Sequence, residues 1–501
     1  MHSLARLDHR HLWHPFTQMG DWLRREPVVI VSGKGAVLRD VNGREYLDAN
    51  SSIWTNLHGH NHPKLNAAIT RQLRKIAHSS ALGLANEPAS VLAERLVRVA
   101  NADCAMRSAE WLKRKGPVTP QSAIRIPQLT KVFFSDDGST AMEAALKLAY
   151  EFARRSGRSR SPKFLSLAGA YHGDTVGAVS LGHIDLFHKA CAGLLFKSDS
   201  VMAPYCYRCP FNRAKPDRAD AREYRKCNWE CVGKVGQKFA AQRKRGNPYA
   251  AMIVEPLMQG AAGMIPQPAG WLRRVAEIVR GDGAQLIADE VMTGFGRTGL
   301  VSRLQAGPKP PEGGTPNALF ACQEEGVQPD FLALAKGLTG GYLPMAATLT
   351  TEAVFDAFLG RYDEFKTFFH GHSYTGNQLG SSVALASLDV LESRASIASR
   401  RRLEAALRGE LKSLWSLPNV GDVRQVGLVV GVELVRDWRT REPFDLREQA
   451  GIRVCEAMAK RGVLTRPIGN VVVLMPPYCS TQGQVARMVE AVRVALPETL
   501  R

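Results

Sequence analysis

Between Lys131 and Thr350, short apolar runs alternate with stretches of helical periodicity. This is the pattern of a mostly parallel sheet covered by helices on both faces. Runs at 130–134, 163–167, 251–254, 285–288 and 331–334 are predicted strands, each ending in a polar or glycine-rich turn. In an open α/β sheet the ligand crevice lies beyond the carboxyl ends of the strands, so chemistry is expected in the residues that follow these runs. After about residue 395, helical periodicity through Arg400–Leu414 precedes apolar segments at Val423–Val435 and Asn470–Leu474, which predicts a smaller α+β unit. The predicted organisation is an N-terminal segment (1–58) joining the small domain, a large domain (59–395) and a C-terminal small domain (396–501). Three stretches, about 104–128, 205–247 and 303–322, have the composition of surface insertions.

The residues after the strands carry the chemistry. Ser135-Asp-Asp-Gly-Ser-Thr140 leads into a helix predicted over 141–150, with Thr140 and Glu143 spaced as a capping box. Gly138 lets the backbone approach closely, and with Ser139 it offers helix N-terminal N–H groups to a phosphate. Many strand-to-helix turns share this composition, so alone it also fits an ordinary connection. Tyr171, in Ala170-Tyr-His-Gly173, would turn an aromatic face into the crevice, although core packing is the simpler account of one such ring. Asp289 and Glu290 follow the apolar run 285–288, where a carboxylate needs a cation, a metal or a protonated heterocycle to neutralise it. No His/Cys ligand spacing accompanies them. Lys336 stands after the run 331–334 and before a glycine-rich turn, where burial lowers a lysine pKa and makes the amine nucleophilic toward carbonyls. An isolated lysine there would more simply reach for the surface. An anion cup, an aromatic face, a strand-end Asp and a strand-end Lys, in that order, are together what pyridoxal phosphate requires.

Asp289-Glu290, Thr293-Gly-Phe-Gly-Arg-Thr-Gly299 and Ala335-Lys336-Gly337 resemble the class III (ω-) aminotransferases of the fold-type I pyridoxal-phosphate superfamily. The likeness covers most of the chain. Within that class, His11–Met19, Ser51-Ser-Ile-Trp54 with His58-Gly-His60, His370–Asn377, and Leu464-Thr-Arg-Pro467 with Leu474–Tyr478 resemble the biotin-pathway branch, whose substrate is 8-amino-7-oxononanoate. The resemblance implies roles position by position. Lys336 would hold the cofactor through its amine and then shuttle the substrate proton, while Asp289 would keep the pyridine nitrogen protonated. Tyr171 would stack on the ring, and Gly138 and Ser139 would bind the phosphate. Ser373, where relatives often carry Thr, would reach that phosphate from the neighbouring subunit of a homodimer. Arg466 would clamp a substrate carboxylate, and Trp54, Gly371 and His372 would line the cavity, His372 on the cofactor side. Members of the branch that use S-adenosylmethionine as amino donor commonly carry Tyr at the position of Phe16 and a Trp pair at Ile53-Trp54, so the residues here look closer to a lysine-using branch. The nearest rival is another ω-aminotransferase, acting on ornithine, γ-aminobutyrate or a diamine.

Composition changes the picture little. The chain has 501 residues, 45% hydrophobic and 23% charged, which suits a globular protein of more than one domain. No apolar run approaches the roughly 18 residues that a membrane span needs. The N-terminus MHSLARLDHRHLWHPF lacks an apolar signal core, so the cytoplasm is the expected compartment. The net charge of +19 is clustered: residues 206–245 hold 12 Lys/Arg against 4 Asp/Glu, and 154–163 add 5 more cations. Nucleic-acid binding would need a recognition motif beside that excess, and none accompanies it. The cysteines supply a reading from another class, a metal-binding scaffold. Cys206-x2-Cys209 and Cys227-x3-Cys231, separated by 17 residues, approach the spacing of a structural zinc site. Unliganded thiols are the alternative for these four, as for Cys104, Cys191, Cys322, Cys455 and Cys479.

Overall fold

The computed structural model describes residues 1–102, 127–299 and 318–500. Its centre is a seven-stranded sheet in the spatial order Leu129–Ser135, Ala346–Thr351, Phe331–Leu334, Gln285–Asp289, Tyr249–Val254, Lys163–Leu167 and Asp199–Val201. The last five run parallel to one another. Ala346–Thr351 alone runs antiparallel to both of its neighbours. Strands buried on both faces read as continuous apolar runs, and Tyr249–Val254, Gln285–Asp289 and Phe331–Leu334 are buried along their whole lengths. Ala346–Thr351 is equally buried but is written AATLTT. Its threonines pair inward, Thr348 Oγ1 donating to the Ala141 carbonyl at 2.8 Å, so no apolar run marks this strand.

The helix after the first strand begins earlier than its periodicity suggests, at Gly138, and runs to Arg155. Its cap is Asp137, whose side chain accepts from the Thr140 N–H at 2.9 Å while Thr140 Oγ1 accepts from the Asp137 N–H at 2.9 Å. The capping box is therefore Asp137/Thr140, not Thr140/Glu143. Glu143 instead accepts from the Gly177 N–H at 2.8 Å. The shift places Gly138 and Ser139 in the first turn, with their N–H groups free of the helical ladder.

The predicted insertions also need correction. The second half of 205–247 is a helix, Glu230–Lys244, whose Cys231, Val232, Val235 and Phe239 join the main core. Its basic face hides a stripe at helical spacing. Ala318–Cys322, assigned to the third insertion, are buried as well, while the rest of that stretch and nearly all of 104–128 lie outside the described residues.

In the C-terminal part, Val420–Val426 and Val429–Asp437 form an antiparallel hairpin extended by Val471–Leu474. Helices Arg394–Leu411, Ala450–Lys460 and Gln482–Thr499 contribute apolar faces to the same core. The N-terminal strands Ile30–Lys34, Val37–Asp40 and Glu45–Asp48 make a separate sheet that ends on Val463–Leu464, parallel to Glu45–Asp48. The two ends of the chain thus meet, and residues near 16, 54 and 466 are carried to the mouth of the large sheet.

Candidate active site

Lys336 follows the strand Phe331–Leu334 and opens a 3-10 turn with φ +41°. A non-glycine residue in the left-handed region costs about 1–2 kcal/mol and persists where its surroundings fix it. Gly337 supplies part of that constraint: a Cβ there would meet Leu57 and Phe295 at 3.0 Å. The Lys336 amine sits 4.6 Å from the centre of the Trp54 ring. Burial outweighs the attraction of Asp289 and Glu255 and lowers its pKa to about 8. The neutral, nucleophilic form is therefore the minority species at pH 7 by only about tenfold. We expect the apoprotein to capture the aldehyde of pyridoxal phosphate at a rate that climbs with pH and levels above about 8. A stopped-flow pH series checks this, and a climb continuing toward pH 10.5, the ordinary lysine value, would contradict it.

Asp289 ends the neighbouring strand, is buried, and holds His172 Nδ1 at 2.7 Å through Oδ2. Its Oδ1 accepts from the Val291 N–H at 3.1 Å. Glu255, after the strand Tyr249–Val254, accepts from the Tyr171 and Gly260 N–H groups at 3.3 and 2.7 Å. Burial pushes its carboxyl up to about 7, with Asp289 adding to the rise and His172 opposing it. Neither His172 nor Glu255 was singled out from the sequence. Glu255 obeys the same strand-end rule that revealed Asp289, and His172 lies within the Tyr171 motif. Glu290 belongs elsewhere: it accepts from the Ala321 and Cys322 N–H groups at 2.6 and 2.8 Å and anchors buried backbone.

Gly138 and Ser139 reach this strand end. A Cβ on Gly138 would lie 2.7 Å from Val291 Cγ1, and Ser139 Oγ accepts from the Asp174 N–H at 3.1 Å. Gly173, with φ +119°, lets the Tyr171 loop close on them, because a Cβ there would stand 2.1 Å from Ser139 Oγ. Tyr171 donates to Asp174 at 2.7 Å, and burial followed by this bond holds its phenol well above the ordinary range.

Ser51 to Trp54 all have positive φ, between +46° and +70°. This left-handed turn has no counterpart in the sequence pattern. Asp48 fixes it by accepting from the Ser52 N–H and hydroxyl at 3.0 and 2.9 Å, and Ser51 Oγ donates to the Met475 carbonyl at 2.6 Å. Its product is the Trp54 ring beneath Lys336, with a half-exposed Ile53 beside it. Phe16, also in the left-handed region at φ +47°, meets Tyr171 edge-on at 6.4 Å and Phe187 at 5.2 Å. Its carbonyl accepts from Arg466 Nη2. Phe187 was not found from sequence, since no pattern distinguishes it from a packing aromatic.

The structure therefore brings together Lys336, Asp289, Tyr171, Gly138, Ser139, Trp54, Phe16 and Arg466. Gly371, His372 and Ser373 lie on a segment at the surface. His372 Nδ1 stands 3.5 Å from Asp136, next to the Gly138 turn, and the Ser373 carbonyl accepts from His78 Nε2 at 2.9 Å. A cavity of about 730 Å³ on the outer side of the helix Gly138–Arg155, lined in part by Lys147, Tyr150, Phe358 and Phe368, is lined by none of the strand-end groups. Cys206, Cys209, Cys227 and Cys231 are unpaired thiols, and among the described residues no group of three or more His, Cys, Asp or Glu is arranged to hold a metal ion. No described helix is long and apolar enough to cross a membrane.

Comparison with known proteins gives a consistent picture. The family described as aminotransferase class-III matches residues 20–496. Adenosylmethionine-8-amino-7-oxononanoate aminotransferase of Geobacter sulfurreducens is 44% identical over 494 residues, covering 99% of this chain and 97% of that protein. The crystal structure of the enzyme of that name from Methanocaldococcus jannaschii aligns with TM-score 0.82 and 37% identity over 99% of each chain. An amine transaminase from an uncultivated Pseudomonas species, solved in its PLP-bound form, aligns with TM-score 0.80 and 31% identity over 97% of this chain and 98% of that one.

Proposed function

The chain belongs to the class-III aminotransferases, a family of pyridoxal-phosphate enzymes, and from that premise we propose that it aminates the ketone of 8-amino-7-oxononanoate to 7,8-diaminononanoate in biotin biosynthesis. The observation that carries this substrate is that the C-terminal Arg466 meets the N-terminal Phe16, whose ring in turn meets Tyr171 edge-on. Those terminal motifs are among the residues whose pattern resembles the biotin-pathway branch. The full-length likeness to enzymes named for this substrate supports it.

The pocket fits pyridoxal phosphate. Trp54 Nε1 and His172 Nε2 are buried without a hydrogen-bond partner among the described residues, and the first helical turn at Gly138 offers N–H groups to a phosphate. When bound, the cofactor supplies an aldehyde that exchanges amino groups and a protonated ring that accepts the electron pair released from the substrate Cα–H bond. The residues of the chain do the rest. Gly138 and Ser139 would hold the phosphate, and Tyr171 would pack against the ring. Asp289 would hold the pyridine nitrogen protonated, and His172, at 2.7 Å from Oδ2, fixes the carboxylate. Lys336 offers its amine for attachment, takes the proton from the substrate carbon and returns it. Arg466 presents a planar guanidinium to the carboxylate of the keto acid, for which a lysine is no geometric equivalent.

A homodimer is part of this proposal. The partner subunit's Ser373 would complete the phosphate site, and the surface around the segment supports a covering copy: Leu82, Phe369 and Tyr374 are 92%, 75% and 61% exposed.

Two donors each have an observation in their favour. The names of the relatives carry adenosylmethionine. Phe16 and Ile53 favour lysine, because Phe16 lacks a hydroxyl and Ile53 an indole that would hold an adenosyl group. One hydrogen bond and one aromatic face at roughly 1–2 kcal/mol each would shift preference by about ten- to a thousand-fold. We expect lysine to support turnover at least as well as adenosylmethionine, and Phe16→Tyr with Ile53→Trp to move preference toward adenosylmethionine. Holoenzyme supplied with 8-amino-7-oxononanoate and each donor, with diamine measured by mass spectrometry, tests both points. Diamine from adenosylmethionine alone overturns the lysine reading. No diamine from either, with turnover of ornithine, γ-aminobutyrate or a diamine, replaces the substrate.

A further inference from the structure

Four cysteines from two separated pairs line one small cavity far from the chemistry of Lys336. Cys206, Cys209, Cys227 and Cys231 surround a space of about 10 Å³ together with Pro204, Asn212, Arg225, Trp229 and Pro268. We infer that these four cysteines are a structural tetrathiolate site for a single zinc ion, which fastens the segment between residues 204 and 231 to the body of the protein.

Three observations carry this. The space holds about one small ion, and the soft ligand atoms in its lining are the four sulfurs, a set that suits Zn²⁺. Next, the segment has little regular structure and few buried apolar side chains of its own, and it is held to the small domain through polar contacts of Tyr205, Arg208, Arg218 and Arg222. Between Val201 and Glu230 regular structure is limited to the turns Cys206–Arg208 and Ala221–Tyr224, and the local apolar cluster has only Cys206, Tyr207 and Ala221 fully buried. A segment with so small an apolar cluster of its own is one that a metal centre would order further. Finally, the charge is right. Binding Zn²⁺ by four thiols releases four protons and leaves a centre of charge −2. Arg225 Nη1 already lies 2.9 Å from Cys227 Sγ, and 12 Lys/Arg against 4 Asp/Glu in 206–245 surround it with compensating charge.

The sulfurs are not drawn into ligand geometry in the chain alone. Cys206 and Cys231 are buried, whereas Cys209 and Cys227 are partly exposed and lie outside helices and strands. These two are the ligands that close on the ion, Cys227 turning from the guanidinium toward it. The site would tie Cys231, at the head of the core helix Glu230–Lys244, to a loop that also grips the small domain. There Arg208 donates to Glu433 at 2.7 Å, and Arg218 Nη1 donates to the Val420 carbonyl at 2.7 Å. Arginines turned inward in this way account for part of the basic excess.

The test is elemental analysis of untagged full-length protein purified without chelator. About one zinc per chain is expected, falling at least tenfold in Cys206→Ser/Cys209→Ser while visible absorbance of bound cofactor is retained. Should that variant fail to fold, titrating the parent protein and a Cys191→Ser/Cys479→Ser variant with a mercurial while following released zinc gives the same answer, with zinc release in both tracking the reaction of Cys206, Cys209, Cys227 and Cys231 rather than of the exposed thiols. Zinc below about a tenth of an equivalent after dialysis against excess zinc, disulfides within or between the two pairs, or full zinc content in the double variant would each overturn the site.

Discussion

Lys336→Ala loses transamination by at least about 10⁴-fold, about 5.5 kcal/mol of transition-state stabilisation, while keeping its fold and non-covalent cofactor binding. The size follows from two losses at one atom. The amine sits over Trp54 in the field of Asp289 and Glu255, with burial holding it near pH 8, so it is the nucleophile of the pocket and also its proton carrier. Alanine removes both functions and leaves the Gly138 turn and Asp289 to hold the cofactor. Steady-state turnover beside circular dichroism and cofactor absorbance measures the separation. A small exogenous amine should restore part of the proton transfer. Turnover within tenfold of the parent would remove Lys336 from the mechanism.

Asp289→Asn binds cofactor more weakly and loses turnover by about a thousandfold or more, at about 1.4 kcal/mol per tenfold. Asparagine has nearly the shape of aspartate, so packing changes little. What goes is the negative charge that keeps the ring nitrogen protonated. Nor can the amide keep both acceptors, Oδ2 for His172 Nδ1 at 2.7 Å and Oδ1 for the Val291 N–H at 3.1 Å, because one of its two positions is now an NH2 donor. Glu255 does not substitute, because burial pushes its carboxyl up to about 7 and its oxygens already serve the Tyr171 and Gly260 N–H groups. The ratio of turnover to cofactor affinity separates the catalytic loss from a binding loss, and a near-normal rate at saturating cofactor contradicts the role.

The legible part of this protein is the part whose physics is local. Five strands show as apolar runs, three of them buried along their whole lengths, and the rule that ligands gather beyond their carboxyl ends points to Asp289, Lys336 and Tyr171 from the sequence. Ala346–Thr351 escapes because small and threonine residues satisfy burial there by hydrogen bonding inward. The helix Glu230–Lys244 escapes because cations cover its apolar stripe. The left-handed turn at Ser51–Trp54 leaves no glycine to mark it; Asp48 and Met475, close in space and partly remote in sequence, enforce it. Glu255 is different, since it follows the predicted strand 251–254 directly and obeys the same strand-end rule as Asp289. Ser373 is a case where the resemblance reaches further than one chain, which presents the residue at its surface and leaves its target to an assembly.

The central claim is that Lys336, beside Asp289, is the group that holds the cofactor, and borohydride reduction of the holoenzyme tests it most directly. Reduction fixes the carbonyl carbon of pyridoxal phosphate to whichever amine carries it, and peptide mapping then reads the position. The account predicts a single modified lysine, Lys336, in the peptide that follows the strand Phe331–Leu334. Label on any other lysine, or none on this one, would contradict it.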